Sequence, residues 1–313
     1  MAEPRWDTSR MPDLSGRTAV VTGANSGLGL HTATALAGKG AHVVMACRNP
    51  DKTAAAIGAI RRLHPGATLE HIPLDLADLS SVAAFAEAYR RAQTRLDILC
   101  NNAGVMFAPR GETKDGFETH LGTNHLGHFA LTGRLMDLVL ATPGSRVVTV
   151  ASEFARLGRI RLDDLNMRKG YSRVFAYANA KLANLMFAIE LQRRLEKRGA
   201  GTISAAAHPG YSATNLQSAG VGMGAPDALA RFGDWSMKYL NRWVAQDAAI
   251  GALPSLLAAT DPSVKGGDYY GPEHFFGLRG YPVHAPKPPQ SKDARVAAEL
   301  WRLSEEMTGV RFP

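Results

Sequence analysis

Cysteine is almost missing: the 313 residues hold only Cys47 and Cys100. Both sit in apolar runs, VVMACR and LDILC, and read as small buried side chains rather than a disulfide framework. That usage suits a reducing compartment, and a cytoplasmic location is expected. Long apolar runs are missing too. No stretch approaches the roughly 18 uninterrupted apolar residues of a membrane-spanning helix, so no membrane span is expected. Residues 1–16 are polar and lack the apolar segment of a secretory signal. Acidic residues are the scarcer charge, 28 against 36 Lys and Arg, for a formal net charge of +8. A basic balance can point to nucleic acid, a membrane surface or an anionic cofactor. Here the cations are scattered, with only short clusters such as residues 192–198, and no aromatic-basic motif accompanies them. Nucleic acid is therefore not an expected partner. Hydrophobic residues at 45% and charged residues at 20% fit a globular chain. A core of that size needs no covalent staple.

What the sequence does have is a regular alternation. RTAVVTG, AHVVMAC, ATLEHIPLDL and LDILCNNAG read as strands, separated by helical segments that include residues 50–63 and 79–92. The strands are near-continuous apolar runs, as expected when helices cover both faces. The pattern resumes with a helix over residues 117–140, a strand SRVVTVAS, a helix over residues 175–198 and a strand TISAAAHPG. Repeated β-α-β units with short connections predict an α/β fold, a doubly wound parallel sheet of Rossmann type. After Gly210 the texture changes: residues 218–226 are rich in Gly and Ala, and helical segments run to about residue 259. GGDYYGP then reads as a strand, HAPKPPQ as a proline-rich bend, and residues 291–307 as a last helix. No linker separates two units. The division expected is an N-terminal extension (1–16), one dinucleotide-binding domain with a helical substrate-loop region (17–290), and a C-terminal helical extension of the same domain (291–313).

The first strand runs through Gly23, Asn25, Ser26, Gly27, Leu28 and Gly29 straight into a helix. Such a loop needs one glycine for a tight turn, one for close approach of backbone to a pyrophosphate, and one for close packing of helix on strand. The new helix offers free N–H groups to the phosphates. Glycines alone are weak evidence; between the first strand and first helix of a βαβ unit they are strong. An NAD site wants an acid at the end of the second strand, for the ribose hydroxyls. This strand ends Ala46-Cys47-Arg48. The acid is absent and a guanidinium suited to a 2′-phosphate stands beside the place, which predicts NADP(H).

Tyr177 and Lys181 are four residues apart at the start of a predicted helix, which puts phenol and ammonium on one face. A nearby ammonium favours phenolate, making the tyrosine a usable proton donor and acceptor. Ser152 ends the strand VVTVAS, where a hydroxyl could hold the substrate oxygen.

TGANSGLG, NNAG (101–104), Asn124 in TNHLGHF, Ser152, YANAK and HPG (208–210) together resemble the short-chain dehydrogenases/reductases, over about residues 17–214. Within them the chain looks most like the retinol-dehydrogenase branch, which includes relatives of protochlorophyllide reductase. MACRN, SEFARLGRIRLDDLN and YANAKLANLMFAIEL carry that likeness. The resemblance implies roles. Tyr177 would be the general acid in reduction and the base in oxidation. Lys181 would lower the tyrosine pKa and hold the nicotinamide ribose. Ser152 would hydrogen-bond the reacting oxygen, and Asn124 would anchor the water through which Lys181 exchanges protons. Asp75 would contact the adenine, and Leu76, Asn102, Ala103 and Gly104 would also line the cofactor. Pro209 and Gly210 would border the nicotinamide, and Thr214 would reach its carboxamide. The resemblance also implies a homodimer or homotetramer.

The expected function is transfer of a hydride between NADP(H) and an aldehyde, ketone or alcohol. Two other readings are reduction of an activated C=C bond and a non-catalytic NADP(H)-sensing or scaffold protein, which should lack part of the Ser152, Tyr177 and Lys181 set. No metal is expected: His125 and His128 have a ligand-like spacing but no Cys or carboxylate cluster joins them. Cys100 reads as core rather than nucleophile. Leu229, Phe232, Trp235, Tyr239 and Trp243 recur at helical spacing after the glycine-rich run 220–224. A hinge leading into such a face would form a lid over a bulky hydrophobic substrate.

Overall fold

The short apolar runs become strands and the capped segments between them become helices, in a computed structural model that describes residues 5–211, 246–275 and 277–313. The strands are β1 (Thr18–Thr22), β2 (His42–Cys47), β3 (Leu69–Pro73), β4 (Ile98–Asn101), β5 (Arg146–Val150), β6 (Ile203–Ala207), β7 (Tyr269–His274) and β8 (Arg279–His284). They form one sheet in the order β3-β2-β1-β4-β5-β6-β7-β8. All neighbours pair parallel except β7 and β8, which are antiparallel. The helices are α1 (Gly27–Gly38), α2 (Pro50–Leu63), α3 (Leu79–Ala92), α4 (Gly127–Ala141), α5 (Arg173–Lys197), α6 (Ala248–Thr260) and α7 (Ala294–Thr308).

Strand periodicity distributes the core. On β1, Ala19 and Val21 pack with Leu36 of α1, Ile60 of α2 and Leu256 of α6, while Val20 packs with Phe85 of α3, Phe129 of α4 and Leu191 of α5. Both faces are thus buried, which is why the strand sequence does not alternate. The helices start where the sequence caps them. Asn49 accepts from the Lys52 N–H at 2.9 Å with Pro50 in the first turn of α2, and Asp78 accepts from the Ser80 N–H at 2.8 Å at the head of α3.

Three places differ from the sequence reading. The helix expected over residues 117–140 is two pieces: a π-helical turn, Leu121–Leu126, feeds α4. In it the Gly127 N–H reaches back five residues to the Gly122 carbonyl. The wide turn lets α4 settle against the chain after β3, where a Cβ on Gly127 would lie 2.4 Å from the Leu76 carbonyl oxygen. Strand β8 lies where no element was expected, between the strand GGDYYGP and the proline-rich bend, which it meets at His284; its Pro282 is tolerated because β8 is the edge of the sheet among the described residues. The terminal helix begins at Ala294, capped by Asp293, after a short 3₁₀ turn.

Both ends of the described chain are packed down. Trp6 is buried and its indole N–H donates to Asp261 Oδ2 at 2.6 Å. Helix α7 covers α4 and α5 through Trp301, whose ring stacks on Phe187 at 5.6 Å and meets Phe129 at 5.0 Å.

Candidate active site

In this strand order the chain reverses direction of growth between β1 and β4, and the crevice beyond their carboxyl ends is where such sheets bind ligands. The glycine loop lies there. Gly23 and Gly27 have φ of 66° and 51°, values that favour glycine. A Cβ on Gly29 would lie 2.4 Å from the Gly23 carbonyl oxygen and 2.6 Å from Asn102 Nδ2. Ser26 caps α1 without bonding its first turn through the side chain, unlike the caps of α2, α3, α6 and α7. The helix therefore presents N–H groups to the crevice, beside a bare glycine surface. These residues fit a pyrophosphate. Asn25 turns toward α2, 3.5 Å from the Thr53 hydroxyl, and Leu28 is half-buried in the first turn of α1.

Arg48 stands at the end of β2, largely in solvent, with its guanidinium 3.6 Å from Asp75 Oδ2. Asp75 Oδ1 also accepts from the Ala77 N–H at 3.0 Å, and Leu76 is buried. Asn102, Ala103 and Gly104 form the turn after β4. The Asn102 and Ala103 N–H groups both donate to the Thr22 hydroxyl at 2.9 Å, and Asn102 Nδ2 donates to the Thr22 carbonyl at 2.8 Å.

Ser152, Tyr177 and Lys181 are brought together across β5 and α5, and all three are buried. Ser152 caps a short 3₁₀ turn, its hydroxyl accepting from the Phe154 N–H at 3.2 Å. Burial pushes the Tyr177 phenol up to about 12, with the Ser152 hydroxyl working against the shift. Burial also pulls Lys181 down to about 8. This differs from the expectation that the ammonium lowers the tyrosine. Lys181 Nζ lies 5.9 Å from the phenol ring centroid and donates to the Val150 carbonyl at 2.9 Å, so desolvation dominates at Tyr177. Asn124 lies within the π-helical turn, with its side-chain amide paired to Val105: Oδ1 accepts from the N–H at 2.7 Å and Nδ2 donates to the carbonyl at 2.9 Å. A Cβ on Gly104 would come within 3.0 Å of Asn124 Oδ1 and 3.6 Å of Lys181 Nζ, so only a bare backbone passes between them.

After β6 the Pro209 carbonyl accepts from Gln246 Nε2 at 2.8 Å, and Gly210 turns with a φ of 65°. A Cβ there would sit 2.4 Å from the Leu278 carbonyl oxygen. Thr214, the run 220–224 and the stripe from Leu229 through Phe232, Trp235 and Tyr239 to Trp243 lie outside the described residues.

The family model described as short chain dehydrogenase matches residues 17–221, covering the glycine loop and the whole Ser152, Tyr177 and Lys181 constellation. The chain belongs to the short-chain dehydrogenase family. Retinol dehydrogenase 14 of Mus musculus is 38% identical over 310 residues, 95% of this chain and 87% of that protein. A solved structure of an uncharacterised protein from Mycobacterium paratuberculosis is 41% identical, with a TM-score of 0.81 over 99% of this chain and 100% of that one. A solved structure described as an NAD(P) dependent gluconate 5-dehydrogenase from Beutenbergia cavernae with bound NADP is 27% identical, with a TM-score of 0.61 over 82% of this chain and 95% of that one. The dehydrogenase is thus an oxidoreductase of the retinol-dehydrogenase branch, acting on CH–OH and C=O groups.

Several residues of the dehydrogenase's site escaped the sequence reading. Phe107 holds a φ of 52° and sets its ring edge-on to Tyr177 at 5.4 Å; Phe154 meets the same ring at 5.9 Å and Phe107 at 5.3 Å. A positive φ on a phenylalanine is strained, and such strain gathers at functional sites. Glu118 and His120 form a buried pair, Nδ1 to Oε1 at 2.7 Å, and His120 Nε2 accepts from the Ala108 N–H at 3.1 Å, holding the loop that carries Phe107. Asn184 Nδ2 shares the Val150 carbonyl with Lys181 at 3.2 Å. His125 and His128 are buried and bonded to Ser304 and Thr22 respectively. Among the described residues no three His, Cys, Asp or Glu side chains converge as metal ligands. The buried Cys100 thiol is pushed up to about 12 by desolvation, which suits core rather than nucleophile.

Proposed function

We propose that this dehydrogenase is an NADP(H)-dependent reductase of bulky, apolar aldehydes or ketones, able to run in reverse on the alcohols. The observation that carries the reading is the buried set of Ser152, Tyr177 and Lys181 beside a phosphate-ready glycine loop. A phenol pushed up to about 12 keeps its proton at neutral pH, as a donor to a developing alkoxide must. Ser152 would hold the same oxygen by its hydroxyl. Lys181, held by the Val150 carbonyl, would support the Tyr177 phenolate left after transfer and reach the nicotinamide ribose. Asn124 would fix the chain after Gly104 through its paired amide. Its carbonyl has a second lone pair with which to hold a water for proton exchange. Bound NADP(H) supplies the hydride. Arg48 would pair with the 2′-phosphate, and the absence of an acid at the end of β2 supports that preference. Phe107 and Phe154 flank Tyr177 with ring faces and edges, which favours a large apolar substrate.

The test is NADPH oxidation against carbonyl compounds graded by size and polarity, with wild type and Tyr177→Phe. Large apolar carbonyls should turn over best. The variant should bind NADPH normally while turnover falls at least ~10²-fold, the usual scale for a general acid. Turnover near wild type in the variant, or a preference for small polar substrates, would overturn the corresponding part of the reading.

A further inference from the structure

His128 is fully buried, lies outside the set of Ser152, Tyr177 and Lys181, and bonds at both ring nitrogens. Nδ1 is 2.9 Å from the Asn124 carbonyl oxygen, and Nε2 is 2.9 Å from the Thr22 hydroxyl oxygen. A carbonyl can only accept, so Nδ1 carries the proton. In the neutral ring Nε2 is then an acceptor, and the one proton of the Thr22 hydroxyl points to it at 2.9 Å rather than to its longer acceptor, the Cys100 carbonyl at 3.3 Å. With its proton committed, the Thr22 oxygen is left as the acceptor for the Asn102 and Ala103 N–H groups, both at 2.9 Å. Each bond fixes the direction of the next. Burial pulls the imidazole down to about 3, and the Lys181 ammonium acts in the same direction, so the ring stays neutral in the working range.

We infer that His128 is a positioning residue, a one-tautomer clasp that ties the Asn124 carbonyl in the π-helical turn to the turn after β4 through Thr22. Asn124 is thereby held twice, by its amide on Val105 and by its carbonyl on His128. The clasp joins β1, α4 and the 101–104 turn at the point where cofactor and catalytic residues meet. It rests on the proposed reaction only for its effect on turnover; its geometry is independent of that reading.

Two substitutions divide the clasp. In His128→Asn the amide falls near the place of Nδ1 and keeps the Asn124 carbonyl, but does not reach Thr22. In His128→Gln the amide oxygen falls near the place of Nε2 and keeps Thr22, but releases Asn124. Hydrogen–deuterium exchange of the 102–103 amides should quicken roughly five- to tenfold in His128→Asn, on the scale of one lost hydrogen bond, and little in His128→Gln. NADPH Kd, read by nicotinamide fluorescence, should rise several-fold in His128→Asn. In His128→Gln kcat should fall while Kd stays near wild type. Thr22→Val, close to isosteric, should match His128→Asn in exchange; Thr22→Ser should restore the wild-type rate; and the double variant should be no worse than the worse single one. Equal behaviour of the Asn and Gln variants, or a lowered Tm with unchanged exchange and Kd, would overturn the clasp. If either His128 variant fails to fold, the Thr22 pair decides: unchanged 102–103 exchange in Thr22→Val overturns it. A wild type that turns over no carbonyl would sink the functional reading alone, since the exchange result still judges the clasp.

Discussion

Arg48 carries most of the cofactor preference proposed for this dehydrogenase, yet among the described residues it pairs with Asp75 at a loose 3.6 Å, with 77% of the arginine side chain in solvent. So exposed a pair contributes little to stability, and the guanidinium is free to turn toward a phosphate. Arg48→Asp replaces a charge-assisted bond by repulsion and adds a second acid beside Asp75. The ratio of kcat/KM for NADPH over NADH should drop by at least about tenfold, with Tm nearly unchanged; a constant ratio would remove Arg48 from the site. At this scale the sequence was informative where chemistry dictates residue type and spacing. Tyr177 and Lys181 are one helical turn apart, and Ser152 follows two residues after β5, so all three could be found without coordinates. His128 could not. Its four-residue offset from Asn124 is visible, but its other partner, Thr22, is 106 positions away and is joined to it only by folding. The expected effect of Lys181 on Tyr177 failed for a related reason: spacing reports who is near, while burial decides the direction of the shift.

Among the elements, α1 is seated against the loop that leads into it with no room for a side chain. Gly29 lies against the Gly23 carbonyl and the Asn102 amide, and its Cβ position overlaps both. Gly29→Ala forces α1 away from β1 or the 101–104 turn away from Thr22, an overpacking that costs about 1–3 kcal/mol. Tm should fall by several degrees, and NADPH Kd should rise more than tenfold, because the helix N–H groups move with the helix. Unchanged Kd would mean that α1 does not face the cofactor. The order and kind of the first seven strands were legible because apolar runs and turn glycines repeat without interruption. The π-helical turn was not, since it spans a single turn and the apolar pattern on either side of it still reads as helix. Nor was β8, a short strand with a proline whose pairing depends on β7.

For the whole molecule, acid is the condition that discriminates. His125, His128 and His208 are buried, and burial pulls them from an ordinary 6.5 to about 4, 3 and 3. At pH 5 the unfolded chain binds protons on these side chains and the folded one does not, so stability rises with pH up to about 6.5 and is lost below it. The loss is about 2 kcal/mol per histidine by pH 5, before most carboxylates titrate. Tm should therefore fall steeply from pH 7 to pH 5, and the slope should lessen by about a third in His128→Gln; a flat profile would contradict the burial of these rings. Another consequence concerns time. Trp6 reaches Asp261, 255 positions along the chain. At the usual ~5–20 residues per second of synthesis, the indole waits roughly 10–50 s for its acceptor to be made. Over that interval Met11 and Leu14, which share its apolar cluster with α6, also lack part of their cover. Trp6, Met11 and Leu14 thus wait as exposed apolar surface until α6 and Asp261 have left the ribosome, the interval in which such surface is most open to association with other chains.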